Sequence, residues 1–225
     1  MANLTVSGHF HYFKGDYTLK YDVSDILGGT SFFQIGDNTI LLKGKIESRE
    51  IMLLKNWVMS VKLDRISNPV LIIDSEGGMT DLNLISDMLS VPIHTHIVGE
   101  ALSFAGVLAL AGSKRTAVPG SFLMLHKSRW RDLKEAESIA RDSEVLATYK
   151  YREISLLTSM VPAGIKEEVM LACVEDADVY FSANVLYNQG ALDLIGHYSG
   201  EKLGVDADNG LWFDCKYAKG KLNDL

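Results

Sequence analysis

The sequence predicts an α/β fold of parallel strands and helices, on three observations. The aliphatic run at 70–73 is typical of a strand covered on both faces. Residues 94–98 alternate polar and apolar side chains like a second strand, and small and aliphatic residues then run helically from Gly99 to Gly112. Because strand and helix alternate, we expect parallel βαβ units, and such sheets bind ligands at the carboxyl ends of their strands.

The chain before this core contributes elements of both kinds. Aromatic residues at 9–13 and 17–23 predict a β-hairpin, and a strand is expected at 39–46. Ser48 is placed to cap the next helix, in which apolar residues recur every three or four positions. Thr80 is placed to cap the helix that follows the aliphatic strand.

The second half of the chain is predicted to contain a long helix. Asp132 and Glu135 form a capping box at its start, and it is expected to end near Met160. Two shorter strands are expected at 115–118 and 122–125, and two shorter helices at 165–173 and 182–189.

One domain is expected, because a chain of 225 residues buries one sizeable core. Within it we assign residues 1–37 to the N-terminal hairpin and an insertion, residues 38–197 to the catalytic core, and residues 198–225 to a polar tail.

Composition excludes several classes of function. A net charge of −7 gives no electrostatic reason to bind nucleic acid or an anionic membrane. Neither a signal peptide nor a run of about 18 apolar residues is present, so a cytoplasmic protein without a membrane span is expected. Cys173 and Cys215 match no metal-ligand or redox spacing, and no cofactor is predicted.

Ser103 is the candidate nucleophile, because it lies where a strand passes into a helix. The first N–H groups of a helix have no partner within it, so an oxyanion beside Ser103 would be stabilised. His126, which ends the apolar run 122–125, is the candidate base. Gly77 and Gly78 follow another strand and can turn their N–H groups toward a substrate carbonyl.

Each of these residues also has a purely structural explanation. Ser103 could cap its helix, His126 could be a core histidine, and the glycine pair could form a turn. Their joint placement after successive strands favours a shared site, since acyl transfer needs a nucleophile, a base and oxyanion donors together.

Two other patterns are interpreted as structural. His94 and His96 alternate along a strand like a metal-binding pair, but no third ligand has suitable spacing, so we expect them on the strand surface. The acidic segment 206–210 is expected to be a turn, because its glycine and its twelfth position do not match a calcium loop.

The chain resembles the proteolytic subunit of the Clp protease (ClpP) family from about residue 38 to residue 195. The resemblance rests on five segments. These are the strand with its glycine pair at 71–78, the serine segment at 99–105, Met-Leu-His at 124–126, and two downstream segments at 177–183 and 189–193. It implies a ClpP/crotonase-type fold of repeated βαβ units with a protruding long helix.

The resemblance also implies a role for each matched residue. Carried over position by position, it makes Ser103 the nucleophile, His126 the general base and Asp178 the carboxylate that orients the base. The N–H groups of Gly78 and Phe104 would form the oxyanion hole. Asp178 stands beside other carboxylates at 175–176, so a solvated turn is the alternative explanation for it.

The implied partners are those of a compartmentalised protease. Peptides and unfolded proteins would be the substrates, the chain would form a homo-oligomeric ring, a heptamer or double heptamer, and an ATP-driven unfoldase would supply folded proteins. An apolar stripe on the long helix, at 133, 136, 139 and 140, would pack one ring against another.

The chain departs from the family pattern at several positions, and two alternatives stay open. Glu76 replaces a proline, Phe104 replaces a methionine, and the basic, aromatic segment 128–132 replaces a glycine-rich one. The alternatives are a catalytically idle ring or interaction subunit, and a crotonase-type acyl-thioester enzyme without a serine nucleophile.

Overall fold

One large mixed sheet organises the chain. The computed structural model describes residues 3–9, 16–22, 32–34, 38–127, 136–175, 177–196, 198–199 and 212–213. Its strands are β1 (Asn3–His9), β2 (Asp16–Asp22), β3 (Phe32–Gln34), β4 (Thr39–Ile46), β5 (Val70–Gly78), β6 (His94–Leu102), β7 (Lys114–Ala117), β8 (Phe122–Leu125), β9 (Val179–Ser182), β10 (Leu194–Ile195), β11 (Tyr198–Ser199) and β12 (Trp212–Phe213). Its helices are α1 (Ser48–Lys62), α2 (Leu82–Leu89), α3 (Phe104–Leu110), α4 (Ala136–Met160), α5 (Lys166–Val174) and α6 (Ala183–Asn188), with a 3-10 turn at Ala163–Ile165.

The sheet branches at β6. Within the described residues the strands pair in the order β1-β2-β3-β4-β5-β6-β7-β10, and β8 and β9 branch off from β6. Strands β4 to β7 are parallel, as the alternation of strands and helices predicted. The first half of β6 pairs with β7 and its second half with β8, which then pairs antiparallel with β9. The fold is therefore α/β, with parallel βαβ units at its centre.

The core lies between the parallel strands and their crossover helices. Leu71, Ile72 and Ile73 of β5 are fully buried, which explains why this strand is continuously aliphatic. Every residue of α3 is buried as well, so the small and aliphatic run after Gly99 is needed for close packing. These two elements fix the position of the candidate site.

Both predicted helix caps are wrong by one residue. Ser48 is the first residue of α1, and the cap is Glu47, whose N–H donates to the Glu50 carboxylate at 3.0 Å. Asp81, not Thr80, caps α2, because its carboxylate accepts N–H bonds from the second and third helical residues at 2.9 and 3.0 Å. A carboxylate that reaches these amides displaces the neighbouring hydroxyl residue from the cap position.

The N-terminal hairpin is present with shifted bounds. Strands β1 and β2 pair antiparallel, with β1 at Asn3–His9, and apart from His9 the predicted strand at 9–13 lies outside the described residues. The long helix is described from Ala136 to Met160, so the predicted capping box at Asp132 and Glu135 lies outside the described residues. The same holds for the predicted turn at 206–210. None of the described helices combines the length and the apolar character needed to cross a membrane.

The prediction that His94 and His96 lie on the strand surface is wrong. Only 8% of His94 and 0% of His96 is exposed. The hydroxyl of Thr116 on the adjacent strand β7 lies 2.9 Å from Nε2 of His94 and 2.8 Å from Nδ1 of His96. Polar alternation along β6 thus reflects a buried hydrogen-bonded cluster, because a polar group from the next strand makes burial tolerable.

We expect acid to destabilise the fold through His94. Burial, and then the charges of His96 and Lys114, lower its pKa from 6.5 to about 2. Below pH 6.5 the unfolded chain binds a proton at this site that the folded chain does not, so stability falls as the pH decreases toward 2. The slope is expected to increase as the pH falls through 6.5 and to approach about 1.4 kcal/mol per pH unit near pH 5.

Urea unfolding between pH 7 and pH 5 measures this slope. His94→Gln, which cannot titrate, should flatten the dependence, although it is expected to lower stability at pH 7. An equal slope in the variant and the natural chain would contradict the assignment to His94.

Candidate active site

Ser103 occupies the turn between β6 and α3 in a strained conformation. Its φ of 56° and ψ of −125° lie in a backbone region that residues other than glycine rarely adopt. Its side chain makes no capping hydrogen bond to α3, so the cap explanation does not account for this serine. Its N–H donates to the carbonyl of Met124 at 2.8 Å, and its carbonyl accepts from Val107 at 3.3 Å. Strain of this kind costs about 1–3 kcal/mol and clusters at functional sites.

This turn has the backbone of a nucleophile elbow without its usual flanking glycines. Elbows of the Gly-x-Ser-x-Gly type carry the serine on a sharp strand-to-helix turn, whereas Ala101 and Ala105 occupy the flanking positions here. Two other glycines, Gly77 and Gly106, are the residues whose backbone lies very close to this turn. A Cβ on Gly106 would lie 3.0 Å from the carbonyl oxygens of both Ala101 and Met124. A Cβ on Gly77 would collide with the Leu102 carbonyl.

The glycine pair lies directly beside Ser103. A Cβ on Gly77, whose φ is 82°, would fall 2.8 Å from Cβ of Ser103 and 3.0 Å from the Phe104 nitrogen. Gly78 faces the other way, against the Ile46 carbonyl of β4. The structure therefore brings together the glycine pair, Ser103 and the first N–H of α3, three of the predicted features.

His126 and Asp178 lie at the ends of the next two strands. Leu102 pairs with Met124, so Ser103 and His126 follow adjacent parallel strands at the same edge of the sheet. Leu125 pairs with Val179, so the same register places Asp178 opposite His126. His126 is partly buried and Asp178 is exposed. The three residues thus occupy neighbouring strand ends in the order serine, histidine, aspartate.

The imidazole of His126 bonds to the main chain. Its Nδ1 lies 2.7 Å from the carbonyl oxygen of Lys127. A carbonyl only accepts, so Nδ1 carries the proton, and in the neutral ring Nε2 is the basic nitrogen. This is the tautomer that a general base for a serine requires.

Sequence reasoning missed two residues that support the site. Asp74 accepts the N–H of Glu100 at 3.3 Å and lies 3.7 Å from the Lys43 ammonium, which fixes β6 just before the serine turn. Ser75 is fully buried and bonds to the backbone on both sides. The available signal was the pair of polar residues that directly follows the aliphatic run.

Within the described part of the chain, Cys173 does not compete with Ser103 as a nucleophile. Burial raises the pKa of the Cys173 thiol to about 12, which keeps it protonated and weakly nucleophilic. Among the described residues, no group of three or more His, Cys, Asp and Glu side chains could hold a metal ion.

The fold and the site together define an α/β protein with an elbow-type serine, a glycine pair beside it and a histidine on the adjacent strand. The family model for Clp protease matches residues 34–198, so the chain belongs to the Clp protease family. It is 30% identical over 130 residues to a protein of Rhodopirellula baltica called ATP-dependent Clp protease proteolytic subunit 1. That alignment covers 55% of this chain and 56% of the relative, so the chain matches about half of the relative's length.

Proposed function

We propose that this protein is the peptidase subunit of a compartmentalised serine protease, which cleaves peptide bonds through an acyl-enzyme. The conformation of Ser103 is the observation that carries the proposal. A strained backbone and a side chain that does not cap α3 add nothing to helix stability, but they suit a nucleophile presented beside oxyanion donors. Membership of the Clp protease family supports the same reaction class.

The proposed reaction assigns one role to each residue. The hydroxyl oxygen of Ser103 attacks the peptide carbonyl while Nε2 of His126 takes its proton. The N–H groups of Gly78 and Phe104 stabilise the resulting oxyanion. The C–N bond then breaks as His126 protonates the leaving amine, and water repeats the sequence on the ester. In this scheme Asp178 takes the place of the Lys127 carbonyl as the acceptor of the Nδ1 proton, holds the imidazole and stabilises its charged form.

We propose a closed homo-oligomeric ring, a heptamer or double heptamer, as the working assembly. It would cleave short peptides unaided and take folded proteins from an ATP-driven unfoldase. Family membership supports this, as does the 25-residue helix α4, in which Leu157 and Met160 near the end are buried while 76% of Tyr151 is exposed. Native mass spectrometry at micromolar concentration measures the assembly, and a monomer would contradict it.

Labelling with a fluorophosphonate tests the chemistry. The reagent forms a covalent bond to an activated serine, so mass spectrometry of a digest should find the adduct on Ser103. Ser113, an exposed serine in a turn, provides the internal control and should stay unmodified. Heat-denatured protein should not react.

An adduct elsewhere would contradict the assignment of Ser103. The absence of any adduct on the native assembly would contradict the protease proposal and favour an idle ring subunit or a crotonase-type enzyme.

A further inference from the structure

Ser75 lies on β5, just before the glycine pair. It is fully buried. Its hydroxyl donates to the carbonyl of Gly44 on β4 at 2.5 Å and accepts the N–H of Gly77 at 3.1 Å. One side chain thus joins β4 to the backbone that contacts Ser103.

The regular strand ladder is interrupted at this level. The pairing of β4 with β5 shifts register between Lys43 and Lys45, and that of β5 with β6 shifts between Ile73 and Ser75. Gly44, within the first shift, has a φ of 74°. Because the main-chain pairing is irregular here, the Ser75 hydroxyl supplies partners that the ladder would otherwise provide.

The bond to Ser75 also distinguishes the two glycines. The N–H of Gly77 is directed to the Ser75 hydroxyl and is therefore not available to a substrate. A Cβ on Gly77 would fall 2.8 Å from Cβ of Ser103 and 3.0 Å from the Phe104 nitrogen, so Gly77 lies beside the candidate nucleophile. The Gly78 N–H belongs to the peptide that directly follows Gly77.

We propose that Ser75 is a positioning residue for the oxyanion hole. It holds the Gly77 amide away from the site and so presents the Gly78 N–H to the developing oxyanion. The inference rests on the proposed function, because it assigns Gly78 as a donor in acyl transfer. Such donors are effective only when they are fixed before the reaction, and a misplacement of about 1 Å costs on the order of 100-fold in rate.

Ser75→Ala tests the role, with Ser121→Ala as the matched control. Ser121 is also a buried serine, only 3% exposed, and its hydroxyl donates to the Val118 carbonyl at 2.8 Å, away from the glycine pair. We expect Ser75→Ala to lower kcat on a short peptide about 10- to 100-fold with KM within about twofold, the pattern of an interaction made only in the transition state. Ser121→Ala should keep the natural kcat.

The same kcat in the two variants would overturn the proposal, since it would make Ser75 a packing residue only. Should Ser75→Ala fail to fold, Ser75→Cys keeps the volume with a weaker hydrogen bond and should show a smaller loss of kcat; an unchanged kcat there would likewise overturn the role.

Hydrogen exchange at the Gly77 amide separates this inference from the proposed function. Exchange should be faster in Ser75→Ala than in Ser121→Ala, whether or not the protein is active. If the natural chain is not labelled at Ser103 but Gly77 exchanges faster, the protease proposal fails and the hydrogen bond is supported. An unchanged exchange rate at Gly77 overturns the positioning role itself.

Discussion

Ser103→Ala is expected to lower kcat/KM on a short peptide by at least about 10³-fold, because the remaining residues have no nucleophile to form the ester. The fold should persist, since the backbone bonds of Ser103 to Met124 and Val107 do not involve its side chain. Peptide hydrolysis and native mass spectrometry on the same sample measure both expectations. Retained hydrolysis in an intact assembly would contradict the role of Ser103.

Ser103→Gly provides the matched control for strain. It also removes the hydroxyl, so activity should be lost equally. Glycine adopts a φ of 56° without steric cost, however, whereas alanine keeps the Cβ and the strain. We therefore expect the glycine variant to be more stable than the alanine variant by about 1 kcal/mol in urea unfolding. A less stable glycine variant would show that the turn is not strained.

Asp178→Asn is expected to reduce kcat by about 10⁴-fold while leaving the fold intact. An amide can present a donor to Nδ1 of His126 and so favour the wrong tautomer, and it cannot stabilise the imidazolium. Glu175 is an exposed carboxylate three residues earlier, so Glu175→Gln is the control and should have little effect on kcat.

Two outcomes would reassign the orienting group. If Asp176→Asn is the damaging change and Asp178→Asn is tolerated, the carboxylate is Asp176. A loss of less than about tenfold in both variants would mean that the Lys127 carbonyl, 2.7 Å from Nδ1, orients the ring without a carboxylate.

The placement of the site could be predicted from the sequence because it depends on strand order. Ser103 and His126 each follow a strand and the glycine pair ends one, and parallel strands end at one edge of a sheet. The strain at Ser103 could not be predicted, because the glycines that usually flank such a serine in the sequence are absent. The close contacts around the turn involve Gly77 and Gly106 instead. The burial of His94 and His96 was missed for a similar reason, since it depends on Thr116 of another strand.

The branch of the sheet at β6 divides the candidate site between two parts of the structure. Ser103 and the glycine pair belong to the central strands, whereas His126 and Asp178 are carried by the two-stranded ribbon of β8 and β9, which joins β6 over only three residue pairs. Local opening of that ribbon would remove the proposed base and its proposed carboxylate together while Ser103 stays in place. We expect this opening to cost less free energy than global unfolding, so inactivation by heat or denaturant should precede the loss of helical signal.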